Sequence, residues 1–159
     1  MPSTLSPSRA ADFMRCPLQY RFRAIDRLPE QPSAAAARGT LVHRVLEALF
    51  QLDPAERTLG AALDLVAPQF AALMKRDPEL SSLFESADLT PEAFTGGARD
   101  LVESYFSLED PQLVQPVASE LLIEAPLADG PLLRGYVDRL DPADSTGNLK
   151  IVDYKTGRS

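Results

Sequence analysis

Three short stretches of this chain hold residues that could do chemistry together. Near the end, Asp153-Tyr154-Lys155 sets a carboxylate and an ammonium two residues apart. Before it, Gly135-Tyr136-Val137-Asp138-Arg139-Leu140-Asp141 carries two more carboxylates. Far upstream, Gly39-Thr40-Leu41-Val42-His43 holds the single histidine. Carboxylate oxygens suit Mg2+ or Mn2+, and an imidazole moves the preference toward Mn2+. An ion held in this way activates water and stabilises charge on a phosphodiester. A lysine beside it can orient the water or neutralise the developing negative charge.

Each stretch also has a plainer reading. Period-two alternation puts Leu149, Ile151, Asp153 and Lys155 on one face of a strand. That face begins apolar and ends charged, which is costly for a carboxylate unless it is paired or bound to a metal. The alternative is a strand that ends at Asp153, with both charges in water. Asp138 shares a face with Arg134 and Tyr136, while Asp141 points the other way. A strand ending in an Asp141-Pro142 turn explains Asp141 well and Asp138 poorly. Gly135 inside a strand suggests close approach of another backbone or a ligand. His43 lies one helical turn before Glu47. A lone helical histidine is more often a surface or satisfied core residue, though Val42, Val45 and Leu46 make a half-buried place reasonable.

The elements that must position these groups are legible from caps and periods. Ser6-Pro7 reads as a cap and first helical residue, with a helix to about Arg15 that Pro17 stops. Residues 31–37 look like a connector. A second helix is expected from Arg38 or Gly39 to about Leu52, because Val42, Val45, Leu46, Leu49 and Phe50 follow the helical period. Thr58 caps a third helix to about Arg76, with Pro68 expected to kink it. Thr90-Pro91 opens a fourth to about Phe106, weakened by Gly96-Gly97. After Pro116 the texture changes to strands over 117–126, 132–140 and 149–154. Turns at 129–131 and 144–148 separate them. The order is helices first, then a three-strand meander.

Composition bounds the rest. The 159 residues fit one domain at roughly 100–200 residues each. Apolar residues make up 45% and charged residues 25%, a globular rather than a disordered composition. No stretch approaches the roughly 18 apolar residues of a membrane span, and the N-terminus lacks the regions of a signal peptide. The one cysteine, Cys16, cannot form an internal disulfide, so a cytoplasmic location is expected. A net charge of −7 argues against coating nucleic acid by bulk charge. Yet residues 1–50 hold seven arginines against four acids, a balance of +3 that leaves −10 on the remainder. Arg is the type that grips phosphate in a bidentate fork. Solvated helix faces are the plainer explanation.

With these residues in hand, the chain resembles the RecB-type nuclease domain of the PD-(D/E)XK superfamily. The G-x-x-x-H, G-x-x-D-x-x-D and D-Y-K-T-G motifs (39–43, 135–141, 153–157) occur in the family's order. Leu5-Ser6-Pro7-Ser8 and Cys16-Pro17-Leu18-Gln19-Tyr20-Arg21-Phe22 are similar to the start of such domains. The resemblance covers almost the whole chain and is least diagnostic over 53–115. It implies an α/β (α+β) restriction-endonuclease-like core, a short, mainly antiparallel sheet flanked by helices, in one domain over 1–159. Within it, 1–52 would be N-terminal helices, 53–115 a helical insert and 116–159 the catalytic sheet.

The resemblance also implies roles. Asp138 and Asp153 would hold Mg2+ or Mn2+, His43 would complete or adjoin them, and the Tyr154 carbonyl would add a ligand. Lys155 would be the catalytic lysine. Glu120 would support the metal through water, and Asp141 would be structural or adjacent. Arg9, Arg15, Arg21 and Arg23 could line a DNA path. The activity implied is DNA hydrolysis, exonucleolytic, in repair or recombination, with a helicase as a further partner. The alternative is a catalytically incomplete nuclease-like fragment that binds DNA or a helicase. Family members continue with a further helix and strand, so the chain reads as truncated after Ser159. Many relatives also hold a [4Fe–4S] cluster, whose first ligand Cys16 matches. Three more cysteines would have to lie beyond residue 159, because one thiolate cannot hold the cluster. No G-x-x-x-x-G-K-[ST] loop is present, which excludes a helicase motor in this chain as far as motifs allow.

Overall fold

The computed structural model describes residues 4–85, 88–128, 130–143 and 146–157. Its helices and strands are, in chain order, β1 (Thr4–Leu5), α1 (Pro7–Arg15), α2 (Pro17–Tyr20), a π-helical segment (Arg21–Ile25), α3 (Ala34–Phe50), α4 (Leu59–Arg76), α5 (Pro91–Phe106), β2 (Ala118–Pro126), β3 (Leu132–Pro142) and β4 (Leu149–Val152). The expected turn residues Asp129, Asp144 and Ser145 lie outside the described residues.

Helix starts follow cap chemistry. Ser6, Thr58 and Thr90 each accept from the amide three residues on, at the heads of α1, α4 and α5. The start of α3, at Ala34, corrects the expectation by four or five residues. Ser33 Oγ accepts from the amide of Ala36, and the alanines that follow, read as a connector, enter the helix. Alanine is the best helix former, so a cap followed by alanines is a helix start. Pro68 and Gly96-Gly97 are both carried inside helices. A Cβ at Gly97 would sit 3.0 Å from the guanidinium of Arg38, so glycine there leaves room for that side chain against Phe94.

The chain divides into two compact units, residues 1–31 with 120–137 and residues 32–119 with 138–159. In the first, β1 pairs in parallel with the start of β3, Thr4 opposite Leu132 and Leu5 opposite Leu133. This short parallel strand was not expected, and it makes the sheet mixed. Neither α2 nor the π-helical segment was anticipated. The close approach suggested at Gly135 is with Pro7, whose Cδ would lie 3.3 Å from a Cβ there.

The second unit holds the main core. Leu41, Val45 and Leu49 of α3 pack with Ala62 and Val66 of α4 and Phe94, Ala98 and Val102 of α5, all buried. Their spacing is the helical apolar stripe. Arg57, 5% exposed, ties this unit's loops together. Its guanidinium donates to the carbonyls of Leu52, Pro111, Val114 and Phe50. Arg57→Ala is expected to lose about 2–3 kcal/mol of stability, measured by denaturant unfolding, because those buried carbonyls lose a charged donor.

In this unit the end of β3 pairs antiparallel with β4, from Arg139 opposite Val152 to Pro142 opposite Leu149. The ladder stops at Val152, two residues before the expected end. Leu149 and Ile151 are 54% and 65% exposed, so the face they share with Asp153 and Lys155 is open rather than buried.

Candidate metal centre

Just past the end of β4, a backbone amide has a side-chain partner. The N–H of Tyr154 donates to Asp138 Oδ2 at 2.7 Å rather than to a carbonyl across the ladder. This accounts for Asp138 as a turn reading could not. Its carboxylate is 12% exposed and caps the neighbouring chain. Its other oxygen, Oδ1, lies 3.4 Å from His43 Nδ1.

The imidazole is held from the opposite side. His43 Nε2 is 3.0 Å from the carbonyl oxygen of Tyr154. A carbonyl only accepts, so Nε2 carries a proton. Nδ1 is then either protonated and paired with Asp138 or bare, with its lone pair beside a carboxylate oxygen. Two lone-pair donors at that spacing suit a cation. Gly39, one turn before His43, lets the same stretch come close. A Cβ there would be 2.8 Å from Thr156 Oγ1. The first glycine of G-x-x-x-H thus makes room for the threonine of D-Y-K-T-G.

Asp153 and Lys155 flank Tyr154 and face outward. Their side chains are 54% and 80% exposed and form an ion pair at 2.5 Å. The hydrogen bond to Asp153 raises the pKa of the Lys155 ammonium, and attraction to Asp153 and Asp138 adds to it. Lys155 thus presents an ammonium donor beside Asp153. A half-open cavity of about 310 Å³ lies beside this pair, with Val42, Leu46, Leu101 and Tyr105 in its wall.

Next to Asp138 is a cluster that sequence reasoning missed. Arg139 has no exposed surface. Its Nε and Nη2 donate to Asp141 at 2.9 Å each, and Nη2 also donates to Glu109 Oε2 at 2.9 Å. Nη1 meets Glu109 Oε1 and the hydroxyls of Tyr105 and Tyr154, both at 3.1 Å. Tyr105 in turn donates to Glu109 Oε1 at 2.5 Å. Asp141 is therefore the partner of a buried arginine. Burial opposes the charge of Glu109, but hydrogen bonds from Arg139 and Tyr105 outweigh it and hold its pKa below the usual range. Burial pushes the Tyr154 hydroxyl up to about 12, against the pull of Arg139. Opposite charges at 139 and 141, on one strand face by period two, were the available signal.

The remaining sequence candidates lie in the first unit. Arg21 pairs with Asp26, and Arg23 with Asp12 and Glu30. Arg9 is half-buried, Arg15 exposed and Cys16 a half-buried free thiol. Glu120, on β2, takes a positive φ of 49°. With one cysteine, the chain does not itself supply four thiolates for an iron–sulfur cluster.

Helices flanking a small mixed sheet, with a histidine and a carboxylate of β3 converging beside the end of β4, describe a restriction-endonuclease-like nuclease fold. The chain belongs to the PD-(D/E)XK nuclease superfamily, whose family model matches residues 4–159. Nucleases of this superfamily use divalent metal ions, and an imidazole, carboxylates and a carbonyl are donors that fit such an ion. The chain is similar to the Gene 69 protein of Mycobacterium phage D29, with 30% identity over 171 residues. That alignment takes in 96% of this chain and 62% of the phage protein, so the chain spans under two thirds of that relative. No solved structure matches. Among the described residues, no helix is long and apolar enough to cross a membrane.

Proposed function

We propose that this chain is a divalent-metal-dependent DNA nuclease of the RecB type that removes nucleotides from DNA ends in repair or recombination. The observation that carries this reading is the convergence of His43 Nδ1 and Asp138 Oδ1 at 3.4 Å, with the backbone N–H of Tyr154 bonded to Asp138 and its C=O to His43. Membership of a nuclease superfamily supports it.

The reaction is hydrolysis. Water adds to phosphorus, one ester P–O bond breaks, and the departing oxygen leaves with a proton. His43, Asp138 and Asp153 would hold the ion, with the Tyr154 carbonyl beside them. When bound, the ion supplies a Lewis acid for the phosphate and an acidified water. Tyr154 fixes the directions of the imidazole and of the Asp138 carboxylate. Lys155 offers an ammonium donor to charge that builds on phosphate oxygens. Glu120 would support the metal through water, while Asp141 restrains Arg139. Mg2+ and Mn2+ both suit this set, and the imidazole favours Mn2+.

DNA would approach along Arg9, Arg15, Arg21 and Arg23. Reversing the charge of all four is expected to weaken DNA binding and flatten its salt dependence. The reading itself is tested by incubating end-labelled single- and double-stranded DNA with Mn2+ or Mg2+. Stepwise loss of terminal nucleotides is expected, abolished by Asp153→Ala and by Lys155→Ala. Activity that survives either substitution overturns the assignment. DNA binding without metal-dependent cutting would favour a binding module, for DNA or for a helicase.

A further inference from the structure

We propose that Arg139 is a positioning residue for this centre, acting through the hydroxyl of Tyr154 on the peptide groups that aim His43 and Asp138. The inference deepens the metal-dependent reading above and rests on it.

One residue's backbone serves both groups. The N–H of Tyr154 holds Asp138 Oδ2 and its C=O holds His43 Nε2. Residue 154 lies beyond the last ladder pair at Val152, so the sheet does not fix it. Its side chain takes over that task. The ring meets His43 edge-on at 5.8 Å and Tyr105 at 5.7 Å. Its hydroxyl accepts from Arg139 Nη1 at 3.1 Å.

Arg139 in turn is buried and bonded on both edges. Asp141 occupies one edge of its guanidinium and Glu109 the other, and Arg139 Cζ lies 4.8 Å from the Phe50 ring centre. A planar fork engaged on two edges is rigid in a way that an ammonium is not. The line of restraint runs from Glu109 through Arg139 to the Tyr154 hydroxyl, and from the Tyr154 peptide groups to His43 and Asp138. Stability alone does not call for this design, since buried ion pairs are often matched by well-packed apolar residues. Groups that orient metal ligands commonly govern affinity by about 10–100-fold.

The test is Mn2+ binding, followed through the EPR signal of the free ion, beside metal-free melting curves. Tyr154→Phe removes one hydroxyl and leaves the ring and both peptide groups. It is expected to weaken Mn2+ binding about tenfold while the metal-free protein melts within a few degrees of wild type. Arg139→Lys, which keeps a charge but loses the fork, is expected to weaken binding at least as much. Val66→Ala, a cavity in α4, is expected to lower the melting temperature and leave Mn2+ affinity within about twofold. Folded Tyr154→Phe with wild-type affinity overturns the inference. So does an equal loss in Val66→Ala, which would make stability alone the cause. A wild-type protein that takes up no Mn2+ overturns the metal-centre reading itself, an outcome distinct from either.

Discussion

Exchanging Arg139 for methionine is expected to cost about 3–5 kcal/mol of folding stability at neutral pH, the usual result of stripping one partner from a buried ion pair. The guanidinium has no exposed surface and neutralises two carboxylates, Glu109 and Asp141, whose side chains are 27% and 11% exposed. Methionine fills much of the volume but leaves both acids without their cation. The deficit has a signed dependence on pH. In the folded wild type the Glu109 carboxyl sits below its ordinary range, because Arg139 and Tyr105 outweigh the opposing effect of burial. Its contribution is therefore complete above the ordinary glutamate value of about 4.3 and fades as the pH falls from there through the folded value. The variant keeps only the hydrogen bond from Tyr105 to Glu109 and so has less of this contribution to lose. Denaturant unfolding from pH 7 to pH 3 should show the two proteins converging in acid. A constant gap across that range would place the stabilisation elsewhere.

Asp138→Asn is expected to slow metal-dependent DNA cleavage about 1,000-fold, since an ion worth roughly 4 kcal/mol to the transition state loses a charged ligand. The substitution is informative because it spares the fold. Asparagine keeps a carbonyl oxygen that can accept the Tyr154 N–H, the 2.7 Å bond that closes the end of β4. The variant should melt within a few degrees of wild type and still bind DNA. Cleavage at the wild-type rate would remove Asp138 from the chemistry.

Local rules account for what the sequence made visible. Ser6-Pro7, Thr58 and Thr90-Pro91 announce their helices because a cap depends only on neighbours three residues away. Ser33 was overlooked because Gln31-Pro32-Ser33 looks like a linker until the alanines are counted as helix formers. The parallel pairing of Thr4-Leu5 with Leu132-Leu133 joins residues 128 apart, beyond any local pattern. The three motifs, read through the family resemblance, put His43 and Asp138 in one centre, and their side chains approach to 3.4 Å. The same reasoning did not reach Arg139, whose partners Tyr105 and Glu109 lie 34 and 30 residues upstream. Asp141 looked like a turn residue because Pro142 follows it, yet the strand runs through Pro142. Asp153 and Lys155 were expected on a face that begins apolar, and the openness of Leu149 and Ile151 leaves both charges in water.

The early end of β4 has a consequence for solvent deuterium exchange. Amides inside the β3–β4 ladder open with the sheet. The amide of Tyr154 opens only when Asp138 lets go of it. Its protection therefore gauges a single acid in place, and cation uptake that draws this carboxylate aside should quicken isotope uptake at that one position while its strand neighbours keep their pace.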